Sequence, residues 1–403
     1  MTDGGDEDGG WSGDIAERVE AVPPSGIRKF FELAEEQEDV ISLGVGEPDF
    51  SAPWSALEAG IVSLENGRTS YTANRGKREL RDEIARDSRR FGLEYSPDDE
   101  ILVTTGVSEG VDLAFRALFD PGDTVAVVQP AYVSYVPGVT FAGAEPLPVP
   151  TRAEDDFKLT YDTLAEAGAE EADGLVYCYP NNPTGAVMTR DELREVAKFC
   201  CENDLIVLAD EVYADLTYDT GGGDEGKGSA EHASIATLDG MRERTVVFNG
   251  FSKAYAMTGT RLGYALGPSD AIGAMNRVHQ YTMLSAPTTA QYMAIDALQR
   301  CRDDVEEMRR AYNRRRNLVL SRLDEIGMDC FEAKGAFYVF PKVPDGNDDE
   351  FAEGLLEEEE VAAVPGSVFG EGGEGHLRMS YATGTDELKE AMKRIERFVE
   401  EKY

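Results

Sequence analysis

The chain predicts an α/β protein built on a largely parallel sheet with helices on both faces. Three observations carry this. Six short, apolar, β-branched runs recur between residues 101 and 266, and stretches of helical period lie between them. After about residue 290 the pattern changes to a long charged helix and a few short strands, which reads as a smaller α/β part.

The start, Met1 to Gly10, is acidic and rich in glycine, without the basic and apolar regions of a signal peptide, so residues 1–13 are expected to form a disordered tail. The strand Ile101 to Thr105 feeds a helix from Ser108 to Leu118. Strands follow at Thr124 to Val128 and Gly174 to Tyr179, the second ending in the turn Asn181-Asn182-Pro183-Thr184-Gly185 before a helix at Arg190 to Glu202. Leu205 to Ala209, Thr245 to Asn249 and Leu262 to Leu266 complete the set. These runs are continuously apolar rather than alternating, as strands covered on both faces must be. The Gly/acid stretch Thr220 to Glu231 reads as a surface loop. Beyond it come a charged helix from Asp303 to Ile326, short strands around Ala336 to Phe340 and His376 to Ser380, and a final helix from about Thr385 to Glu401.

Composition excludes several functions. Seventy-eight acidic residues against 39 basic ones leave a formal charge of -39, which repels nucleic acid and anionic membrane surfaces alike. Neither is expected as a partner. The acids are dispersed, so a carboxylate-covered, salt-adapted (halophilic) globule is the reading. Five cysteines without a C-x-x-C pair suggest reduced thiols and a cytoplasmic protein. His232, His279 and His376 are the only histidines and lack zinc-site spacing, so no metal is expected. No apolar run approaches the roughly 20 residues that span a bilayer.

Ligands of such sheets bind beyond the carboxyl ends of the strands, and the notable residues fall there. Lys253, in Gly250-Phe251-Ser252-Lys253, has small neighbours and an arginine, Arg261, eight positions on. A solvated surface lysine is the bland alternative, and an amine able to hold an aldehyde as an imine the sharper one. Asp210 follows a strand, where it could cap a helix or present a carboxylate to a cleft. Thr105-Gly106-Val107-Ser108 joins strand to helix as an anion cradle would, although such junctions are also common as mere turns. Arg378, in Gly375-His376-Leu377-Arg378-Met379-Ser380, is either an edge-strand arginine or a fork for a carboxylate. Gly46, in Gly44-Val45-Gly46-Glu47-Pro48-Asp49, would let the backbone approach such a group closely.

Together these segments, with Asp210-Glu211-Val212-Tyr213, Gly335-Ala336-Phe337-Tyr338 and Val364-Pro365-Gly366, resemble the fold-type I aminotransferases of class I/II, enzymes that use pyridoxal 5'-phosphate (PLP). The likeness runs from about Pro24 to Val399 and is nearest to archaeal and bacterial aspartate, aromatic and alanine aminotransferases. It implies a large PLP-binding domain over 51–290 with a mostly parallel seven-stranded sheet, and a smaller α/β domain from 14–50 and 291–403. It implies that Lys253 holds PLP as a Schiff base and carries the proton in catalysis. Asp210 pairs with the ring nitrogen, Tyr213 and Asn182 donate to the phenolic oxygen, and Tyr132 stacks on the ring. Val107, Ser108, Ser252 and Arg261 bind the phosphate, joined by Tyr71 from the partner of a homodimer with composite sites. Gly46, Asn182 and Arg378 receive the substrate carboxylate, and a cis Asn182-Pro183 bond is expected.

Two positions depart from common family choices: Gly250, where a serine is usual, and Thr260, where a tryptophan is. The implied reaction is ping-pong transfer from an L-amino acid to a 2-oxo acid, 2-oxoglutarate by family habit. A PLP-dependent β-eliminating (carbon-sulfur) lyase is the alternative, and a non-catalytic regulator the reading from another class, opposed by the short acidic tail before Pro24 where a DNA-binding helix pair would stand. Ile27, Tyr135, Tyr281 and Phe337 are candidates for the side-chain pocket and favour aromatic or aliphatic donors, with aspartate as the rival.

Overall fold

The computed structural model describes residues 13–24, 26–27, 39–218 and 232–403. Residues 1–12 of the acidic tail, the stretch from 220 to 231, and Ser25, Arg28 and Lys29 of the segment beginning at Pro24 lie outside them.

Twelve strands follow in chain order among the described residues: β1 (Ile41–Ser42), β2 (Ile101–Thr104), β3 (Thr124–Gln129), β4 (Glu145–Pro150), β5 (Gly174–Cys178), β6 (Ile206–Asp210), β7 (Thr245–Gly250), β8 (Gly263–Leu266), β9 (Tyr338–Val339), β10 (Val361–Ala362), β11 (Val364–Pro365) and β12 (Leu377–Ser380). Seven of them form one sheet in the order β2-β8-β7-β6-β5-β3-β4. Every neighbour in it is parallel except β8, which runs antiparallel to both β2 and β7. Strands β2, β5 and β7 are buried along their whole length, as helices on both faces require.

The six strands read from the sequence are all present within a residue or two of their expected ends. The seventh strand of the sheet that the resemblance implies is β4, which the apolar runs do not include because Pro146, Pro148 and Pro150 interrupt Glu145–Pro150. The strand lies at the sheet edge and pairs with β3 alone. Its flanking odd-numbered residues donate to the β3 side, Glu145 N to Asp123 O and Thr151 N to Gln129 O. Alternation therefore turns all three prolines outward, where their missing N–H groups cost no ladder bond.

The helix Arg190–Glu202 starts where expected because Thr189 and Glu192 form a reciprocal capping box. The long helix spans Arg302–Ile326 and the last one Thr385–Lys402. The remaining strands make two small sheets, parallel β1-β10 and antiparallel β11-β12-β9. Ser380 N donates to Leu43 O at 2.7 Å, tying the end of β12 to the segment that follows β1. Among the described residues no helix is long and apolar enough to cross a membrane.

Strand direction decides where function can sit. The carboxyl ends of β2, β5, β6 and β7 share one edge, and because β8 is reversed its amino end opens there too.

Candidate active site

Gly106, Asn182, Lys253 and Arg261 follow or precede strands at that edge, and Asp210 ends one. Lys253 lies three residues beyond β7 in a tight turn closed by Ala256 N to Lys253 O and Met257 N to Phe251 O. Its half-buried ammonium donates to Gly46 O at 2.6 Å. Burial pulls the amine down to about 8, opposed by Glu47 and Asp210 and aided by Arg378 and Arg261. A nucleophilic neutral amine is thereby accessible near neutral pH. Gly46 is needed beside it, since a Cβ there would stand 2.7 Å from the Tyr338 hydroxyl.

Asp210 ends β6 and is buried. One carboxylate oxygen, Oδ2, accepts from the Tyr135 hydroxyl at 2.7 Å, and Oδ1 accepts from Val212 N at 3.1 Å. Burial pushes this carboxyl up to about 6, although both hydrogen bonds pull the other way. Tyr135 was expected to line the donor pocket. It is buried instead, with its hydroxyl committed to Asp210. Phe337, a second lining candidate, is fully buried, edge-on to Tyr213 and packed against Tyr312, with its ring centroid 5.8 Å from the Lys253 amine.

The turn after β5 is built by Asn181, whose Oδ1 accepts from Thr184 N and Thr184 Oγ1. The Asn182-Pro183 bond is cis, as the resemblance implied. Gly185 closes the turn at φ 78°, where a Cβ would meet Ala333 at 2.7 Å. Its carbonyl accepts from Lys334 N and Gly335 N, which anchors the segment leading to Tyr338. Asn182 Oδ1 accepts from Arg378 Nη1 at 3.0 Å, leaving the Asn182 amide nitrogen as a donor.

Arg378, from β12, is buried, and its Nη2 donates to Gly44 O. Its guanidinium lies 4.7 Å from the Tyr338 ring centroid and 4.9 Å from that of Phe369. Among the described residues no carboxylate pairs with it and its Nε has no hydrogen-bond partner. Burial alone pulls its proton affinity down, so a carboxylate supplied from outside would relieve the site. Tyr338 also shares a 3.1 Å hydrogen bond with the Tyr213 hydroxyl.

A second group of residues at the same sheet edge suits an anion. Gly106 opens the helix Gly106–Leu118 at φ 79°, and a Cβ there would stand 2.7 Å from Arg261 Nη2. Val107 is half-buried over Gly263, Ser108 is exposed in the first turn, and Ser252 is buried beside Lys253. Arg261 donates to Thr258 O at 2.9 Å. The glycine at 250 has a packing reason: a Cβ there would lie 3.0 Å from Gly263 Cα and Leu262 O, where β7 and β8 close together. Thr260 turns its hydroxyl to Met257 O at 2.8 Å.

Tyr132 is half-buried and edge-on to Tyr135 at 5.7 Å. Tyr71 and Tyr281 stand outside the network, 80% and 85% exposed. Three contributors were missed from sequence: the Tyr338 hydroxyl, the Tyr135 hydroxyl and Glu47. Each stood within or beside a segment noted in the sequence, Tyr338 at the end of Gly335-Ala336-Phe337-Tyr338, Glu47 next to Gly46 and Tyr135 as a pocket candidate, but none in the role it takes here.

These groups fit an aldehyde-bearing pyridine phosphate: an amine of lowered proton affinity, a buried carboxyl at a strand end, and a guanidinium against a glycine-opened helix start. The family model "Aminotransferase class I and II" matches residues 38–395. The chain belongs to that family. The aromatic-amino-acid aminotransferase 2 of Thermococcus litoralis is 42% identical over 393 residues, covering 96% of this chain and 99% of the relative. The aspartate aminotransferase of Pyrococcus abyssi is 43% identical over 393 residues with the same coverage. The solved aspartate aminotransferase of Thermus thermophilus with maleate superimposes with a TM-score of 0.88 at 37% identity, covering 95% of this chain and 99% of that one. The class I and II aminotransferases depend on PLP and transfer amino groups, so this chain is a PLP-dependent transferase of the fold-type I architecture. The lyase alternative is not favoured by these relatives.

Proposed function

We propose that this aminotransferase takes aromatic or aliphatic L-amino acids as donors and returns the amino group to 2-oxoglutarate. The observation that carries the reading is the surroundings of Arg378: a buried guanidinium without a carboxylate partner among the described residues, set between the rings of Tyr338 and Phe369. A substrate carboxylate would complete that site, and the rings favour an apolar side chain beside it. Aspartate remains the rival, since relatives named for aromatic amino acids and for aspartate are about equally similar.

Bound PLP supplies the electron sink and the aldehyde. Lys253 would anchor it and then move the proton at the donor's Cα; Asp210 would hold the ring nitrogen's proton, and Tyr213 with the Asn182 amide would donate to the phenolic oxygen. Tyr132 would stack on the ring. Val107, Ser108, Ser252 and Arg261 would hold the phosphate, while Gly46, Asn182 and Arg378 receive the carboxylate. The exposure of Tyr71, together with exposed Trp54 and Ile61, supports a homodimer in which Tyr71 reaches the partner's phosphate site. A division at 51–290 against 14–50 with 291–403 is part of the same reading. Five unpaired cysteines support a cytoplasmic location, and the charge of -39 supports salt adaptation.

The test is a half-reaction screen, adding each amino acid singly to the PLP form and following the loss of its absorbance. Faster conversion by phenylalanine, tyrosine or leucine than by aspartate is expected. Conversion by aspartate alone would overturn the donor assignment.

A further inference from the structure

The residue after which β6 ends has a partner that no motif announced. Tyr135 opens the helix Tyr135–Ala142, and its hydroxyl reaches across 75 residues of chain to Asp210 Oδ2 at 2.7 Å. Both side chains are buried, so water is no substitute for either half of the bond. The remaining groups that act on Asp210 are Glu211 and Lys253, with Cys178 opposite it in register on β5. Of the side chains, Tyr135 is the one hydrogen-bonded to the carboxylate.

We propose that Tyr135 is a positioning residue that fixes the plane of the Asp210 carboxylate and weakens its hold on a proton. The inference rests on the PLP reading of the site given above. A carboxylate has about four lone-pair positions. Here Tyr135 takes one on Oδ2 and Val212 N one on Oδ1, so the orientation of the group is set before any ligand arrives. The sign of the electrostatic effect follows from the donor. Burial drives Asp210 toward its protonated form, up to about 6, and the Tyr135 hydrogen bond is the first influence that opposes it. A carboxylate that keeps its proton would be a poor partner for a protonated ring nitrogen. With Tyr135 donating, a proton shared between Asp210 and the ring nitrogen rests on nitrogen; without it, the carboxylate competes for that proton. The hydroxyl thus acts on the cofactor through Asp210 and touches neither substrate nor Lys253 in the hydrogen bonds of the site.

The experiment uses holoenzyme loaded with PLP labelled with ¹⁵N in the ring, comparing wild type, Tyr135→Phe, and a protein with 3,5-difluorotyrosine at 135, whose more acidic hydroxyl donates more strongly. In Tyr135→Phe the ring ¹⁵N resonance is expected to move from the protonated toward the unprotonated range, and PLP affinity of the apoenzyme to fall about tenfold. Difluorotyrosine should keep the resonance in the protonated range and retain the affinity. A loss of packing alone would weaken PLP binding without moving the nitrogen signal. An unmoved resonance in Tyr135→Phe overturns the inference while leaving the PLP reading intact, whereas a wild-type chain that takes up no PLP overturns both.

Discussion

The two walls of the cleft are made in different ways. One wall is the edge of the seven-stranded sheet, where Asp210 and Lys253 sit within three residues of strand ends and their polar atoms find partners inside the protein. The other is β12, a four-residue strand in a three-stranded sheet, which delivers Arg378 with its Nε unpartnered and no opposing carboxylate among the described residues. The first wall is complete before a ligand arrives. The second is a buried cation held by Asn182 and the Gly44 carbonyl, stable enough to fold and incomplete enough to bind. The difference separates chemistry from recognition, and each wall can be tested against the other.

The largest effect is expected from the sheet-edge wall. Lys253→Ala should lower transamination by at least about 10⁴-fold, the upper end of what a positioned proton carrier supplies, measured by steady-state turnover with saturating donor. Residual activity near the wild-type level would end the separation, since the remaining groups would then be doing the chemistry. Arg378→Ala should spare the near-ultraviolet or visible band of bound PLP and cost about 2 to 5 kcal/mol of carboxylate recognition, read as a fall in kcat/KM. Loss of PLP itself from that variant would show that the walls are not independent.

A third expectation concerns pH. Because burial lowers Lys253 to about 8, the neutral amine fraction of the apoenzyme grows with pH below that value. Rebinding of PLP, followed by stopped-flow absorbance, should therefore quicken about tenfold per pH unit below about 8 and level off above it. A profile still climbing to pH 10 would mean that the lysine is solvated. The smallest effect is assigned to the anion end. Gly106→Ala, placing a methyl group against Arg261 at a positive φ, should cost about 1 to 2 kcal/mol in thermal stability and weaken PLP binding several-fold, by calorimetry and titration. Unchanged PLP affinity would detach that end from the site.

The same contrast explains what could be read from the sequence. The sheet-edge wall announces itself because continuous apolar strands end in small or polar residues, so Lys253, Asp210 and the Asn182 turn are marked by their immediate neighbours. Arg378 stands in a strand too short to be distinctive, and only the family likeness gave it a role. Tyr135 reads as a pocket residue because an aromatic residue beside a cleft looks the same on paper whichever way it faces; in the structure its hydroxyl is committed to Asp210. The strand β4 was hidden by prolines whose cost depends on which side of the sheet is empty, a fact of assembly that local propensity does not contain. Tyr71 and Tyr281 carry their meaning in exposure.

The reversal of β8 has a further consequence. Since β7 ends at the cleft edge and β8 starts from it, the seven residues between Lys253 and Arg261 form a loop with both ends pinned by the Gly250–Gly263 pairing. Its length is a ruler between the covalent anchor and the anion end. Surface loops elsewhere in the chain are free to lengthen, but an insertion here would move the two functions apart at one stroke, so this segment is expected to drift in composition, as Thr260 does, and not in length.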